Sequence, residues 1–110
     1  MKKLPKIEHY TYRLTWSEDD NQWVGLCVEF PGLSYLASTH QKALRGIIKI
    51  VAEVVEDMSA NSESLPQPLN SRRYSGKFMV RVPPEVHRRL ALQAAEENIS
   101  LNRLVSSKLS

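Results

Sequence analysis

Apolar positions along the chain switch between two spacings, and the switches mark the elements. Tyr10, Tyr12, Leu14 and Trp16 alternate with Thr11, Arg13 and Thr15, the period of two expected of a strand with one apolar face. Ser17-Glu18-Asp19-Asp20-Asn21 breaks the run with turn-forming residues. Gln22 to Phe30 then brings Trp23, Val24, Leu26, Val28 and Phe30, so the two runs predict a hairpin. Pro31-Gly32 closes the second strand, and Leu33 to Ala37 predicts a short third one. From Ser38-Thr39, which offers a capping hydroxyl, the period changes to that of a helix over about His40 to Met58. Ala43, Leu44, Ile47, Ile48, Val51, Val54, Val55 and Met58 recur at three- and four-residue steps, a broad stripe able to cover one face of a sheet. Residues 1–58 therefore read as an α+β unit with an antiparallel sheet and one helix.

Residues 59–74 lose both periods. Ser, Asn and Pro dominate until Tyr74, which predicts a linker, with Pro66 and Pro68 favouring an extended spacer. A third patterned segment follows, residues 75–110. Lys77-Phe78-Met79-Val80-Arg81-Val82 alternates strictly, with Phe78, Val80 and Val82 on one face and Lys77, Met79 and Arg81 on the other. Pro83-Pro84 ends this strand, and Pro84 suits the first turn of a helix over Glu85 to about Glu97 that carries Val86, Leu90 and Ala94 in line. Asn98 is expected to terminate it in a left-handed conformation. Ser100 caps a last helix, Leu101 to about Leu109, with Leu101, Leu104, Val105 and Leu109 on its apolar side.

This final segment holds 36 of the 110 residues, below the roughly 40 at which a chain without metal or disulfide usually folds alone. Its single strand also has no neighbour. A second copy supplies both, giving a homodimer or a higher oligomer built on an antiparallel two-stranded ribbon over four interlocked helices. Charge sharpens the reading. Residues 1–71 carry seven Lys/Arg against nine Asp/Glu, and residues 72–110 carry eight against three, so the second half suits a polyanion and the first another partner. A β-ribbon fits the major groove of double-stranded DNA. There Arg81 can donate two bonds to guanine, Lys77 can act less specifically, and Met79 can touch a thymine methyl. Free N–H groups near Ser100, Leu101 and Asn102 can clamp a phosphate. The plainer reading of Lys77, Met79 and Arg81 is the charged outer face of an edge strand. Arg72 and Arg73 fit a basic arm on the DNA backbone or a solubilising stretch equally well.

Other chemistry finds little footing. Cys27 is the lone cysteine and reads as a small buried residue, in keeping with a reducing, cytoplasmic setting. Met1-Lys2-Lys3 leads into no apolar stretch and no long apolar run occurs, so neither a secretory signal nor a membrane partner is expected. Asp19, Asp20 and Glu29 are the only local candidates for holding catalytic metals, yet two are adjacent in a turn and the third stands apart. His9, His40 and His87 show no ligand spacing. The expectation is a protein that is not an enzyme and uses no cofactor.

The segment Lys77-Phe78-Met79-Val80-Arg81-Val82-Pro83-Pro84-Glu85-Val86-His87-Arg88-Arg89-Leu90, with Ser100-Leu101-Asn102, resembles the ribbon-helix-helix DNA-binding domains. The first half, through Trp23-Val24-Gly25-Leu26-Cys27-Val28-Glu29-Phe30-Pro31-Gly32-Leu33-Ser34 and Thr39 followed by Lys42-Ala43-Leu44, is similar to the HicB antitoxin family. The resemblance implies the antitoxin of a type II toxin-antitoxin pair. Its first half would be a partial RNase H-like fold covering a HicA-type mRNA-cleaving toxin, and its second a swapped-dimer repressor on operator double-stranded DNA of the shared operon. Two other classes stay open at this stage. One is a stand-alone repressor whose first half senses a small ligand; the other is an interaction protein whose last segment only dimerises.

Overall fold

The alternating runs form a three-stranded antiparallel sheet, β1 (Tyr12–Ser17), β2 (Gln22–Cys27) and β3 (Ser34–Ala37), in the order β1-β2-β3. The structure is a computed structural model that describes residues 4–110; the basic start Met1-Lys2-Lys3 lies outside them. Trp16 stands opposite Trp23 and Trp23 opposite Ala37, while Leu14, Gly25 and Tyr35 share the next row. These residues, with Tyr12 and Cys27, line one face. Helix α1 (His40–Ala60) lies on it, and its buried line Ala43, Ile47, Val51 and Val55 follows the expected stripe. At the crossing the backbones approach so closely that a side chain on Gly25 would meet the Ala43 carbonyl oxygen at 2.5 Å and Ile47 Cγ2 at 2.9 Å. The core cluster is Tyr10, Cys27, Phe30, Ile47, Val51 and Val55.

Both hairpin strands are shorter than their periodicity predicts. Tyr10 leaves the ladder and is buried instead, its ring edge-on to Phe30 at 5.2 Å between centroids. Val28 and Phe30 leave β2 in a tight turn in which the Phe30 N–H donates to the Cys27 carbonyl and the Leu33 N–H to that of Phe30. Alternation thus continued past the hydrogen-bonded ladder because the same core buries residues of the strands and of the turns. The acidic cluster is turn chemistry: Asn21 has φ 51°, and the Ser17 hydroxyl donates to Asp20 Oδ2 at 2.9 Å. Thr39 caps α1, its hydroxyl oxygen accepting from the Lys42 N–H at 3.2 Å. The helix runs two residues beyond Met58 and closes with Ser62 at φ 57°, where the Glu63 N–H donates to the Met58 carbonyl and the Ser62 N–H to that of Ser59. That pair of bonds satisfies carbonyls left over at a helix end.

The Ser/Pro-rich segment is not a free spacer. The chain divides into two compact units, one running up to Tyr74 and one from Ser75 to Ser110, so residues 59–74 belong with the sheet and helix. Leu65 packs against the core and Pro68 is buried. The Tyr10 hydroxyl donates to the Pro66 carbonyl at 2.8 Å, and the Leu69 N–H donates to Glu29 Oε2 at 2.9 Å ahead of a 3-10 turn at Leu69–Ser71. Extended proline-rich backbone has carbonyls and N–H groups to spare, and here two side chains of the sheet region use them.

Glu29, which stands alone in the sequence, is the junction. Its carboxylate accepts from the Thr11 N–H at 2.8 Å, the Thr11 hydroxyl at 3.0 Å and the Leu69 N–H, with the Cys27 thiol at 3.6 Å. Burial alone would raise its pKa, but the hydrogen bonds from Leu69 and Thr11 outweigh it and hold the carboxyl below its ordinary value. Cys27 is buried, and burial pushes its thiol up. It therefore behaves as a packed, unreactive residue.

Candidate nucleic-acid interface

The second unit contains α2 (Pro84–Glu96) and α3 (Leu101–Leu109), joined by a tight corner. Pro83 is extended and Pro84 opens the helix, where its missing N–H costs nothing. Asn98 has φ 55°, and the Ile99 and Asn98 N–H groups return to the carbonyls of Ala94 and Ala95. This is the left-handed termination expected from the sequence. Ser100 caps α3 by accepting from the Arg103 N–H at 3.1 Å.

Ahead of α2 the structure departs from expectation. Residues 77–83 carry no ladder and no regular element, so no strand forms over Lys77 to Val82. A strand is defined by its neighbour, and this unit offers none. The faces implied by the alternation are consequently not separated. Phe78, Val80 and Val82, expected to point inward, are 76%, 60% and 42% exposed, and Met79 is 83% exposed. Ser75 and Gly76 shape the start of the segment: Gly76 has φ 83°, and the Ser75 hydroxyl accepts from the Lys77 N–H at 3.0 Å.

Between this segment and the helices lies an open groove of about 970 Å³. Lys77, Arg81, Leu101 and Asn102 line it, so four of the six residues singled out from sequence come together there. Met79 does not line it, and the Ser100 hydroxyl is engaged as the cap. Phe78, Val80, Val82 and Leu90, assigned to an inner face by their spacing, line the same groove. Within this unit Ala94 and Leu104 alone are buried. The signal for this exposure is the segment's size, since 36 residues supply too few facing side chains to cover their own apolar surface.

The electrostatics are one-sided. Lys77, Arg81, Arg89, Arg103 and Lys108 make no ion pair among the described residues, and the Arg88–Glu85 pair, at 3.9 Å and exposed on both sides, contributes little. At the start of α3, the Leu101 and Asn102 N–H groups precede the first intrahelical bond, because the Arg103 and Leu104 N–H groups are those taken by Ser100. In the first unit, Arg72 sits over the Tyr74 ring at 5.9 Å, and the Tyr74 hydroxyl donates to the Leu69 carbonyl at 3.0 Å. The basic pair Arg72-Arg73 therefore starts from an anchored piece of chain. None of the described helices is long and apolar enough to cross a membrane.

Fold and site together define an α+β chain with a sheet-and-helix unit followed by a small basic helix pair whose apolar surface is uncovered. Compared with protein-family models, residues 60–109, somewhat under half of the chain, match the HicB family. The match covers the docked Ser/Pro segment and the helix pair. It does not extend to residues 10–44, where the resemblance to that family was read from the sequence. No curated protein and no solved structure matches the chain.

Proposed function

We propose that this chain is the antitoxin of a type II toxin-antitoxin pair and works by two binding events without chemistry of its own. The observation that carries the proposal is the match of residues 60–109 to the HicB family on a segment with unpaired cations and a bare apolar groove. In this reading the second unit is a ribbon-helix-helix module. Two copies pair their Lys77–Val82 segments antiparallel, bury Phe78, Val80 and Val82 against both helix pairs, and turn Lys77, Met79 and Arg81 toward the major groove of operator DNA. The alternation supports this, since a dimer separates two faces that are both exposed in a single copy. Leu101 and Asn102 then offer backbone N–H groups to a phosphate.

The sheet-and-helix unit, read as a partial RNase H-like fold, covers a HicA-type mRNA-cutting toxin and blocks it, while the DNA-bound dimer represses the shared operon. Support for a basic partner comes from the exposed acids of this unit, Glu18, Asp19, Asp20, Glu53, Glu56 and Asp57. The test uses the full chain. Fluorescence anisotropy on the DNA upstream of its own gene should give specific binding that weakens steeply as salt rises, and co-expression with the neighbouring reading frame should relieve growth arrest. Equal affinity for unrelated DNA, or no effect on the neighbour's toxicity, would overturn the corresponding half of the proposal.

A further inference from the structure

Residues 64–74 hold no regular element beyond one 3-10 turn, yet they are fastened to the sheet-and-helix unit. Leu65 packs against the core and Pro68 is buried. Two side chains supply the hydrogen bonds across to the segment: the Tyr10 hydroxyl to the Pro66 carbonyl, and Glu29 to the Leu69 N–H. Tyr10 precedes β1 and Glu29 follows β2, which pair antiparallel, so both grip from one end of the hairpin. The Glu29 carboxylate oxygen that holds Leu69 also accepts from the Thr11 hydroxyl, and its other oxygen accepts from the Thr11 N–H.

From these contacts we infer that residues 64–74 are a strap and that Glu29 is its catch, which sets how much chain is free ahead of the basic unit. With the catch closed, the last residue clasped by the sheet region is Leu69, onto whose carbonyl the Arg72 N–H and the Tyr74 hydroxyl fold back, so at most seven residues (70–76) lead to Lys77. With it open and the Tyr10–Pro66 bond and the Leu65 and Pro68 packing released after it, the chain is held only as far as Glu63, where the end of α1 is closed, and thirteen residues (64–76) are free. At an extended 3.3–3.6 Å per residue the reach changes from about 25 Å to about 45 Å. A partner that displaces the strap would thereby lengthen the tether of whatever the basic unit holds.

The strap can open without unfolding the unit. All six residues of the core cluster lie between Tyr10 and Val55, and the strap packs only the half-buried Leu65 against it and buries Pro68. The sheet ladder and both ends of α1 use none of the strap's groups from residue 64 onward. Leu69, once released, exchanges a carboxylate for water as acceptor.

Two substitutions in the full chain remove the same bond from opposite sides. Glu29→Gln keeps one acceptor oxygen and places an amide donor against either the Leu69 or the Thr11 N–H. Leu69→Pro deletes the donor; Pro68 at φ −56° and ψ 130° already has the extended geometry that a following proline requires. Hydrogen exchange read by mass spectrometry should show peptides spanning 64–74 exchanging at least tenfold faster in both variants. Peptides of α1 should keep wild-type protection, and small-angle scattering should show a larger maximum dimension. Wild-type protection of 64–74 in either variant, an unchanged dimension, or loss of α1 protection along with the strap would overturn the inference.

Discussion

Replacing Gly25 with alanine puts a methyl group 2.5 Å from the Ala43 carbonyl oxygen, 2.9 Å from Ile47 Cγ2 and 3.0 Å from Ile47 Cβ. Carbon contacts relax to about 3.5 Å or more, so α1 has to lift from β2 by about 1 Å or the strand has to bow. Neither movement is cheap, because Ile47 is fully buried and the nearest atom belongs to helix backbone. Overpacking of this kind costs about 1–3 kcal/mol, partly offset by up to about 1 kcal/mol from the smaller unfolded-state entropy of alanine. The net expectation is a loss of about 1–2 kcal/mol, which in a unit of this size lowers Tm by roughly 4–16 °C. Trp16 and Trp23, the chain's two tryptophans, stack edge-to-face on this sheet at 5.5 Å, so thermal unfolding read by tryptophan fluorescence reports on the right unit. Gly32→Ala is the control, since a side chain there meets nothing within 4 Å; its Tm should stay level or rise slightly. A Gly25→Ala protein that melts at or above the wild-type temperature would refute the close approach of α1 to β2.

Acid should loosen the first unit through Glu29. A carboxyl whose pKa is lowered by folding adds stability that is complete above its unfolded-state value, about 4.3, and is lost as pH falls through the lower folded-state value. The same fluorescence melts should therefore show Tm falling below about pH 4, with a shallower fall in Glu29→Gln. In the second unit, Arg81→Ala should weaken operator binding by about 1–3 kcal/mol and relax base preference at one position; anisotropy against a panel of single-base variants checks this, and an unchanged preference would remove Arg81 from the groove.

Much of this protein was legible locally. The apolar alternation of the three strands, α1 with its Thr39 cap, the turn at Pro31-Gly32, α2 starting at Pro84, the left-handed Asn98 and the Ser100 cap are all written in residues within a few positions of one another. The candidate site was legible in part. Lys77, Arg81, Leu101 and Asn102 share a groove, whereas the inner face assigned to Phe78, Val80 and Val82 has nothing to pack on in a single copy. Alternation states which residues belong together, but a strand exists only where another strand supplies hydrogen bonds.

The amino-acid sequence alone determined the element types outside Lys77–Val82, their caps and the break between a mildly acidic first part and a basic second one, since period, capping hydroxyls and charge act over a single turn or a neighbouring residue. Tertiary structure decided the role of Glu29 and the fate of the Ser/Pro segment. Glu29 and Leu69 lie forty positions apart, and neither carries a local mark of the other. Their bond forms because pairing β1 with β2 brings Thr11 and Glu29 together at one end of the hairpin, where a carboxylate oxygen that accepts from the Thr11 hydroxyl accepts from the passing Leu69 N–H as well.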